Sequence, residues 1–396
     1  MILAWALLHT ASYAISLDSI LNLPAMGVPV INYCPETTWE FGAAAQGYFR
    51  LSNQQRISIV QIDGTYSLKH QWYINAQGNL YFGIKDVAAS LQKDNNTSIG
   101  RPKGDRIEAK EWQLQFRVGY GNRPATYYGT YNDPHFANEG NIGIGMLRRG
   151  TPYDLQRGYL NVQAPIYIGK HFAIGPMTDV LIAQYNIENI YTTTKPILQL
   201  GLGAVVQYDS RDNVFYPTQG IFFKASATAA WTNKMDIPEG QQATINGLLA
   251  ADLRQYIPLP HNLVIAWQLK GQFMLSEYYI SHLTLYPMLP RLGGQDGLRG
   301  INSDMFRDDI MLALQAELRI PIWSIFRATI FAGIGDVYDF HNWHWTTPKL
   351  GYGIGLRAAI NKAKVNIRFD IARSNVDNRW NNINAYSFYL TATEAF

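Results

Sequence analysis

The chain has 396 residues, of which 47% are hydrophobic and 16% charged, so it is long enough for two soluble domains or one large closed sheet. A net charge of +3 is too small to indicate a nucleic-acid partner, and the single cysteine, Cys34, excludes an intrachain disulfide. Beyond the N-terminus, no run of roughly 20 apolar residues could form a membrane-spanning helix. The 25 Tyr, 17 Phe and 10 Trp favour strands, although composition alone fits a soluble sandwich or propeller equally well.

The first 14 residues are apolar and end in the small-x-small triplet Ser12, Tyr13, Ala14, as secretory signals do. The basic residues that usually precede such a segment are missing, so the signal is atypical or starts upstream. We predict a signal peptide over 1–14 and export of the chain. Residues 15–36, including GVPVINY at 27–33, are interpreted as an extended linker that precedes a single domain over 37–396.

Apolar and polar side chains alternate with period two at 39–50, 112–120, 310–320 and 365–372, which predicts strands with two different faces. The polar faces carry Gln, Gly, Ser, Thr, Tyr and scattered charges of both signs, where a soluble sheet usually carries Lys and Glu. Such faces suit a crowded, hydrated lumen, and apolar faces that end in aromatic residues suit lipid. The sequence therefore predicts an all-β fold, a transmembrane antiparallel β-barrel.

The connections between predicted strands alternate in length from residue 155 onward, as in barrels with short turns at one end and long loops at the other. Long connections are predicted at 188–196, 232–242, 276–308, 337–348 and 374–385. The exception is the turn at 209–219, which is long but stands among the short connections. Counting the segments gives about sixteen strands, and bacterial barrels have even numbers.

The last predicted strand places Tyr386, Phe388, Leu390 and Phe396 on its apolar face, which is expected to face lipid. An alternating strand that ends in an aromatic residue resembles the sorting signal of outer-membrane proteins. We therefore predict the bacterial outer membrane as the location and its lipid as a partner.

Four motifs carry a resemblance to a known family. The turn YDSRDNVFYPTQG at 208–220 contains Asp209, Arg211, Asp212, Pro217 and Gly220. The loop LGGQDGLRGI at 292–301 contains Gly293, Gly294, Leu298, Arg299 and Gly300. The segments ALQAELRIPI at 313–322 and FAGIGDVYD at 331–339 follow. In this order, and with the terminal aromatic strand, the motifs resemble those of the BamA/TamA superfamily, also called bacterial surface antigens. The resemblance covers 197–396 well and 37–196 only by general pattern.

The resemblance implies that the loop 276–308 folds into the lumen, where Arg299 pairs with acidic groups of the inner wall. A guanidinium confined in a barrel favours a carboxylate partner. Glu317 and Asp370 both lie on the polar face of their predicted strands, which is expected to face the lumen; we call this inward parity. Gly333 stands where the family usually has a second acidic partner, and Ile301 where it usually has an aromatic. The alternative for Arg299 is a solvated loop residue. For the 209–219 turn we favour structural bracing over catalysis.

The resemblance further implies a role in insertion or assembly of outer-membrane proteins, or in protein transport. The family mechanism would use the seam between the first strand, 37–51, and the last, 386–396. Only 15–37 precedes the barrel, so a barrel-only member without polypeptide-transport-associated domains is expected. Other assembly proteins and client barrels are the expected partners. A passive pore or a structural accessory subunit is the first alternative, and an outer-membrane hydrolase is the second.

Signals for catalysis are weak. The Gly-x-Ser-x-Gly elbow of hydrolases is absent from the sequence. His341 and His344 have His-x-x-His spacing, but two histidines alone make a weak metal site, and the neighbouring Trp343 and Trp345 fit an aromatic loop at a membrane surface better. We predict no catalytic residue, no metal and no cofactor.

Overall fold

The computed structural model is almost entirely β-structure. It describes residues 25–34, 38–49, 58–83, 111–122, 125–129, 151–188, 191–193, 195–214, 216–237, 240–276, 285–294, 297–303, 305–323, 325–341, 343, 345, 347–359, 366–376, 386–391 and 396. The predicted signal peptide, 1–14, lies outside these residues. None of the helices in the described part of the chain is long and apolar enough to cross a membrane.

Nineteen strand segments follow one another along the described chain. They are β1 Ala25–Cys34, β2 Thr38–Phe49, β3 Ser58–Ser67, β4 Trp72–Gly83, β5 Glu111–Asn122, β6 Ala125–Tyr127, β7 Thr151–Gln163, β8 Ile166–Ile168, β9 Phe172–Ile187, β10 Tyr191–Thr192, β11 Ile197–Asp209, β12 Gly220–Ile237, β13 Gly240–Pro258, β14 Val264–Leu275, β15 Ile310–Trp323, β16 Phe326–Tyr338, β17 Lys349–Ala359, β18 Asn366–Ser374 and β19 Tyr386–Thr391.

The segments form a single antiparallel sheet that closes on itself where β1 pairs with β19. The short β6, β8 and β10 extend β5, β7 and β11 across local breaks, so the wall contains sixteen strands. The predicted sixteen-stranded barrel is thus confirmed. Closure leaves each wall strand with a neighbour on either side, which satisfies the backbone groups that an open sheet would expose.

The wall is apolar outside and polar inside, as the period-two pattern predicted. Leu202 on β11 is 73% exposed and Ile245 on β13 is 72% exposed on the outer surface. Gln113 on β5 and Gln207 on β11 face the lumen, where each is almost completely buried. The Nε2 of Gln115 donates to the Oε1 of Gln207 at 2.9 Å across the lumen, so inner side chains bond to distant strands.

The N-terminal end of β1 and the C-terminal end of β19 lie at one end of the barrel, called here the terminal end. The turn at 210–219 lies at the same end, and the loop after β14 lies at the opposite, loop end. The predicted long connection at 232–242 was wrong, because β12 continues to Ile237 and β13 begins at Gly240. The two strands continue to pair up to Ile237 and Gly240, so the connection between them is short.

Part of the predicted N-terminal linker, 15–36, is instead the first wall strand. Residues Ala25–Cys34 pair with β2 along their whole length, and Ile31 to Tyr33 also pair with β19. The predicted first strand at 37–51 is therefore the second strand, and the seam lies between β1 and β19. Pro29 and Gly27 made this segment resemble a linker, because Pro and Gly are both unfavourable in the interior of a strand.

The predicted lipid-facing position of Phe396 was also wrong. Its side chain is 4% exposed and packs inside the barrel with Tyr256, Val264 and Ala266 of β13 and β14. The apolar ring finds buried partners there, and its backbone carbonyl accepts a hydrogen bond from Arg319 at 3.4 Å. The parity of β19 therefore holds from Tyr386 to Thr391 but does not extend to residue 396.

Candidate functional site

The loop between β14 and β15 is packed into the lumen through two apolar clusters. In the first, the ring of Tyr286 lies 4.5 Å from that of Tyr127 and 5.9 Å from that of Tyr153, measured between centroids. The second cluster comprises Leu292, Leu298, Ile301, Phe306, Met311, Ala313 and Val337. Burial of these side chains supplies a driving force for docking the loop that does not depend on any charge.

Backbone geometry brings Arg299 close to the wall. Gly300 has a φ of +90°, and a Cβ at this position would lie 2.5 Å from the carbonyl oxygen of Arg373 on β18. A residue with a side chain would thus be both strained and obstructed. Its N–H donates to the hydroxyl of Tyr389 at 3.4 Å. The glycine therefore lets the loop approach β18 and aims the preceding arginine at the inner wall.

Arg299 lies between the two acidic residues that parity placed on the inner wall. Its Nη1 donates to Oδ2 of Asp370 at 2.9 Å, and its Nη2 donates to Oε2 of Glu317 at 3.1 Å. The guanidinium carbon lies 3.6 Å from the ring centroid of Phe331. Arg299 is only 1% exposed. Charge-assisted bonds of this kind are strong when water is excluded.

Three further arginines share the same two carboxylates. Arg319 donates through Nε to Glu317 at 2.7 Å, and Arg357 donates through Nη1 to Asp370 at 2.5 Å. Arg368 has its Nε 3.5 Å from Asp370. Sequence reasoning did not assign these residues to the site, although their inward parity was a signal that could have done so. We call this group of four arginines and two carboxylates the lumen charge cluster.

The glycine at 333 makes space for the loop. A Cβ there would lie 2.5 Å from Cδ1 of Leu298, so the position of the family's usual aspartate is occupied by the leucine of the loop motif. At Gly351 a Cβ would overlap the carbonyl oxygen of Arg299. The loop is thus fitted against small residues of β16 and β17, and Arg299 uses Glu317 and Asp370 together.

The turn at 210–219 is braced by its own side chains. Arg211 makes two bonds to the carboxylate of Asp209, at 2.9 and 2.8 Å. Asp212 accepts from the backbone N–H of Thr218 at 2.8 Å and from its hydroxyl at 2.6 Å. Burial alone would lower the pKa of the Arg211 guanidinium, but the hydrogen bonds and charge of Asp209 raise it instead. These bonds hold the turn in one conformation.

This turn also reaches the lumen charge cluster from the terminal end. Nη1 of Arg319 donates to the carbonyl oxygen of Pro217 at 2.8 Å, and its guanidinium lies 4.8 Å from the ring of Tyr216. Gly220 ends the turn with a φ of +105°. Since Glu317 binds both Arg299 and Arg319, one carboxylate connects the loop with the turn at the other end.

The remaining predicted positions are distributed around the barrel. Tyr386, Phe388 and Leu390 have outward parity on β19, opposite the buried Tyr389. His341 contacts the carbonyl oxygen of Ser276 through Nε2 at 3.2 Å, while His344 lies outside the described residues. Within the described residues, no group of three or more His, Cys, Asp or Glu side chains is arranged to hold a metal ion.

A closed, sixteen-stranded sheet that is apolar outside and polar inside is the architecture of a transmembrane β-barrel. In this barrel, an arginine holds a loop inside the lumen. A family model described as the Omp85 superfamily domain matches residues 52–396. The chain therefore belongs to the Omp85 superfamily, and the resemblance to BamA/TamA proteins is confirmed. No curated protein sequence matches it significantly.

Solved structures agree on the fold. BamA from Haemophilus ducreyi lacking POTRA domains 1–3 has a TM-score of 0.55 at 13% identity, covering 94% of this chain and 70% of that one. CdiB from Acinetobacter baumannii has a TM-score of 0.51 at 8% identity, covering 92% of this chain and 59% of that one. CdiB from Escherichia coli has a TM-score of 0.52 at 12% identity, covering 93% of this chain and 62% of that one. The chain thus spans less than two thirds of either CdiB.

Proposed function

We propose that this chain is a bacterial outer-membrane barrel that acts in the insertion, assembly or transport of other proteins through its seam. Membership of the Omp85 superfamily supports this proposal. The observation that carries it is the seam, where the first strand, β1, pairs with the last, β19. Client barrels and other outer-membrane assembly proteins are the partners that such a role requires. The function is one of binding and rearrangement, without bond-breaking chemistry.

The outer surface supports residence in a membrane. Leu202, Ile245, Trp323 and Ile74 are exposed on the outside of the wall, while charged side chains concentrate inside. Soluble monomers rarely expose contiguous apolar patches larger than a few hundred Å². Lipid would cover this surface, and the terminal end, which carries the short connections 259–263 and 324–325, would face the periplasm.

The seam joins the first and the last strand of the wall. In the described residues, β1 pairs with β19 from Ile31 to Tyr33, and β18 pairs with β19 from Arg368 to Arg373. Separation of β1 from β19 would expose an unpaired edge on each of the two strands. Such an edge is a template for adding another strand, which is the step that strand insertion requires.

The docked loop would control how easily the wall changes shape. Arg299 joins the loop to β15 through Glu317 and to β18 through Asp370, the strand next to β19. Opening of the seam requires β19 to move relative to β1, and the arginine restrains its neighbour. We assign Arg299 the role of a positioning residue for the loop and for the seam-side wall.

A disulfide across the seam tests the proposal. Ile31→Cys and Leu390→Cys introduced into a Cys34→Ser background occupy directly opposed positions, and opposed antiparallel residues have Cα atoms roughly 4.5–5.5 Å apart, within the range of a disulfide. The oxidised and reduced proteins are reconstituted in liposomes and supplied with a urea-unfolded small outer-membrane barrel. Oxidation is expected to slow insertion of that client, and a reductant should restore the rate.

The matched control carries Ile330→Cys and Ile354→Cys, an outward pair on the hairpin of β16 and β17. Crosslinking there leaves the seam free, so its oxidation should not change the rate. Equal insertion by the oxidised and reduced seam variants would eliminate the seam mechanism. Stepwise ion conductance in planar bilayers, without client insertion, would instead identify a passive pore.

A further inference from the structure

An arginine lies on the outer face of the wall, unlike the four arginines of the lumen charge cluster. On β18, Arg368, Asp370 and Ala372 are buried on the inner face. Successive side chains of a strand point to opposite faces, so Phe369 and Arg373 point outward, and both are exposed. Arg373 is the next-to-last residue of β18 and therefore lies at the loop end of the barrel.

Two tyrosines flank Arg373 on the neighbouring strands. Tyr352 of β17 is directly opposed to it on one side, and Tyr386 of β19 is directly opposed to it on the other. Both tyrosines are exposed, and the guanidinium carbon of Arg373 lies 5.4 Å from the ring centroid of Tyr386. Tyrosine is enriched where a membrane meets water, because its ring is apolar and its hydroxyl is polar. The row of three side chains therefore indicates the level of lipid headgroups at the loop end.

The outer face becomes apolar directly below this row. Toward the terminal end, Ile371 and Phe369 are the next outward residues on β18, and Ile354 and Leu356 are the next on β17. A charged side chain that faces lipid is costly at the middle of a bilayer and is tolerated near its interface. Arg373 thus lies at the edge of the apolar surface, where that cost is smallest.

The guanidinium of Arg373 is not matched by a carboxylate in the described part of the chain. The ring of Tyr386 is the contact that it makes there. Asn375 is the next outward side chain on β18, but its Oδ1 accepts from the N–H of Leu350 at 2.8 Å and its Nδ2 donates to the carbonyl oxygen of Pro348 at 3.2 Å. A guanidinium has five N–H donors, and an aromatic ring offers no oxygen to receive them. An oxygen acceptor from the surroundings can therefore bind here.

We propose that Arg373, with Tyr352 and Tyr386 on either side, binds the phosphate of a lipid headgroup at the loop end of the outer wall. A planar guanidinium matches two phosphate oxygens at once, and the tyrosine hydroxyls can donate to others. The outward direction of the side chain and the apolar surface beneath it favour a lipid over an ion from solution. The site rests on the proposed residence of the chain in a membrane, but not on the mechanism proposed for the seam.

Native mass spectrometry of the full chain in detergent micelles measures the binding of dioleoyl phosphatidic acid and, separately, of dioleoylglycerol, which has the same acyl chains without the phosphate. The parent chain should bind phosphatidic acid more tightly. Arg373→Gln should weaken that binding by about tenfold, the effect of losing a charge-assisted hydrogen bond, and should leave binding of dioleoylglycerol unchanged. Arg373→Lys keeps the charge without the planar fork and should lie between the two.

The matched control is Lys195→Gln, which removes an exposed positive charge at the loop end, before β11 and away from the row of tyrosines. It should bind phosphatidic acid as the parent does. Thermal unfolding separates binding from folding. Without added lipid, Arg373→Gln should unfold at the parent's temperature, and with phosphatidic acid the parent should gain stability that the variant does not.

The possible failures are distinguishable. Equal binding of phosphatidic acid by the parent and Arg373→Gln, or an equal loss in Lys195→Gln, would overturn the site alone. A dimer in the native spectra that Arg373→Gln dissociates would assign this face to a second copy of the chain and would also overturn the lipid site. Failure of the parent chain to float with phosphatidylcholine vesicles in a density gradient would reject the membrane residence and the site together.

Discussion

Replacement of Arg299 by alanine tests whether its ion pairs hold the loop in the lumen. The substitution removes bonds of 2.9 Å to Asp370 and 3.1 Å to Glu317, together with a guanidinium stacked 3.6 Å from Phe331. It leaves the apolar anchors around Tyr286 and the backbone of the barrel wall untouched. The expected effect is therefore on loop docking and on the stiffness of the wall, and the barrel should still assemble.

The size of the effect follows from what remains after the change. Removing one partner of a buried ion pair costs about 3–5 kcal/mol when the other charge is left alone. Here Glu317 retains its ion pair with Arg319 at 2.7 Å and Asp370 retains its ion pair with Arg357 at 2.5 Å, so each carboxylate keeps a cationic partner. We expect about 3 kcal/mol, the low end of that range. Arg299→Lys should recover part of it, since a compact ammonium cannot bridge both carboxylates with a planar fork.

Two assays of the purified barrel measure these effects. Limited proteolysis reports exposure of the 285–309 loop, and the temperature at which the band shifts in seminative electrophoresis reports barrel stability. Arg299→Ala should be cut faster in the loop and should shift at a lower temperature, with Arg299→Lys between it and the parent. Arg373→Ala, which removes an exposed side chain on the outer face of β18, is the control for loss of an arginine. If Arg299→Ala and the parent were equal in both assays, the charge cluster would not hold the loop.

Three further predictions follow from the same contacts. Gly351→Ala should undock the loop without removing a charge, because the new Cβ overlaps the Arg299 carbonyl; faster loop proteolysis checks this. Burial first, and then two neighbouring aspartates, raises the pKa of Asp308 to about 9. The docked loop therefore binds a proton that the free loop releases at roughly pH 4, so loop stability should fall as pH rises from about 4 to 9. Asp308→Asn should abolish that fall in the band-shift temperature. Phe396→Ala should lower the free energy of unfolding by up to about 3–5 kcal/mol, as for a lost buried phenylalanine, and so lower the urea midpoint; an unchanged midpoint would contradict its interior position.

Face assignment along the strands was predictable from sequence because the side-chain period of a strand is two. In β15, Glu317 and Arg319 are inward and Leu318 is outward, as alternation requires. A slip of one residue would place every apolar side chain inside, so the pattern specifies register strongly. The same rule placed Asp370 on the inner face of β18 and thus identified both carboxylates that receive Arg299.

Alternation could not identify β1 or the position of Phe396. Pro29 lowers the strand signal of 25–34, and the pairing of this segment with β2 and β19 is a property of barrel closure and not of the local sequence. Phe396 lies beyond the regular part of β19 and contacts β13 and β14, far away along the chain. Parity holds only while a strand continues, so it gives no information about a residue past the end.

The charge cluster shows why a pairwise reading of Arg299 was incomplete. Parity gives the face of a residue but not its height in the barrel, so it could not show that Arg319, Arg357 and Arg368 converge on Glu317 and Asp370. The shared carboxylate has a consequence of its own. Glu317 binds Arg299 from the loop and Arg319, which in turn binds the turn through Pro217. Undocking of the loop leaves Glu317 to Arg319 and Arg357 alone, which must change how Arg319 is held, so the two ends of the lumen are energetically coupled through one side chain.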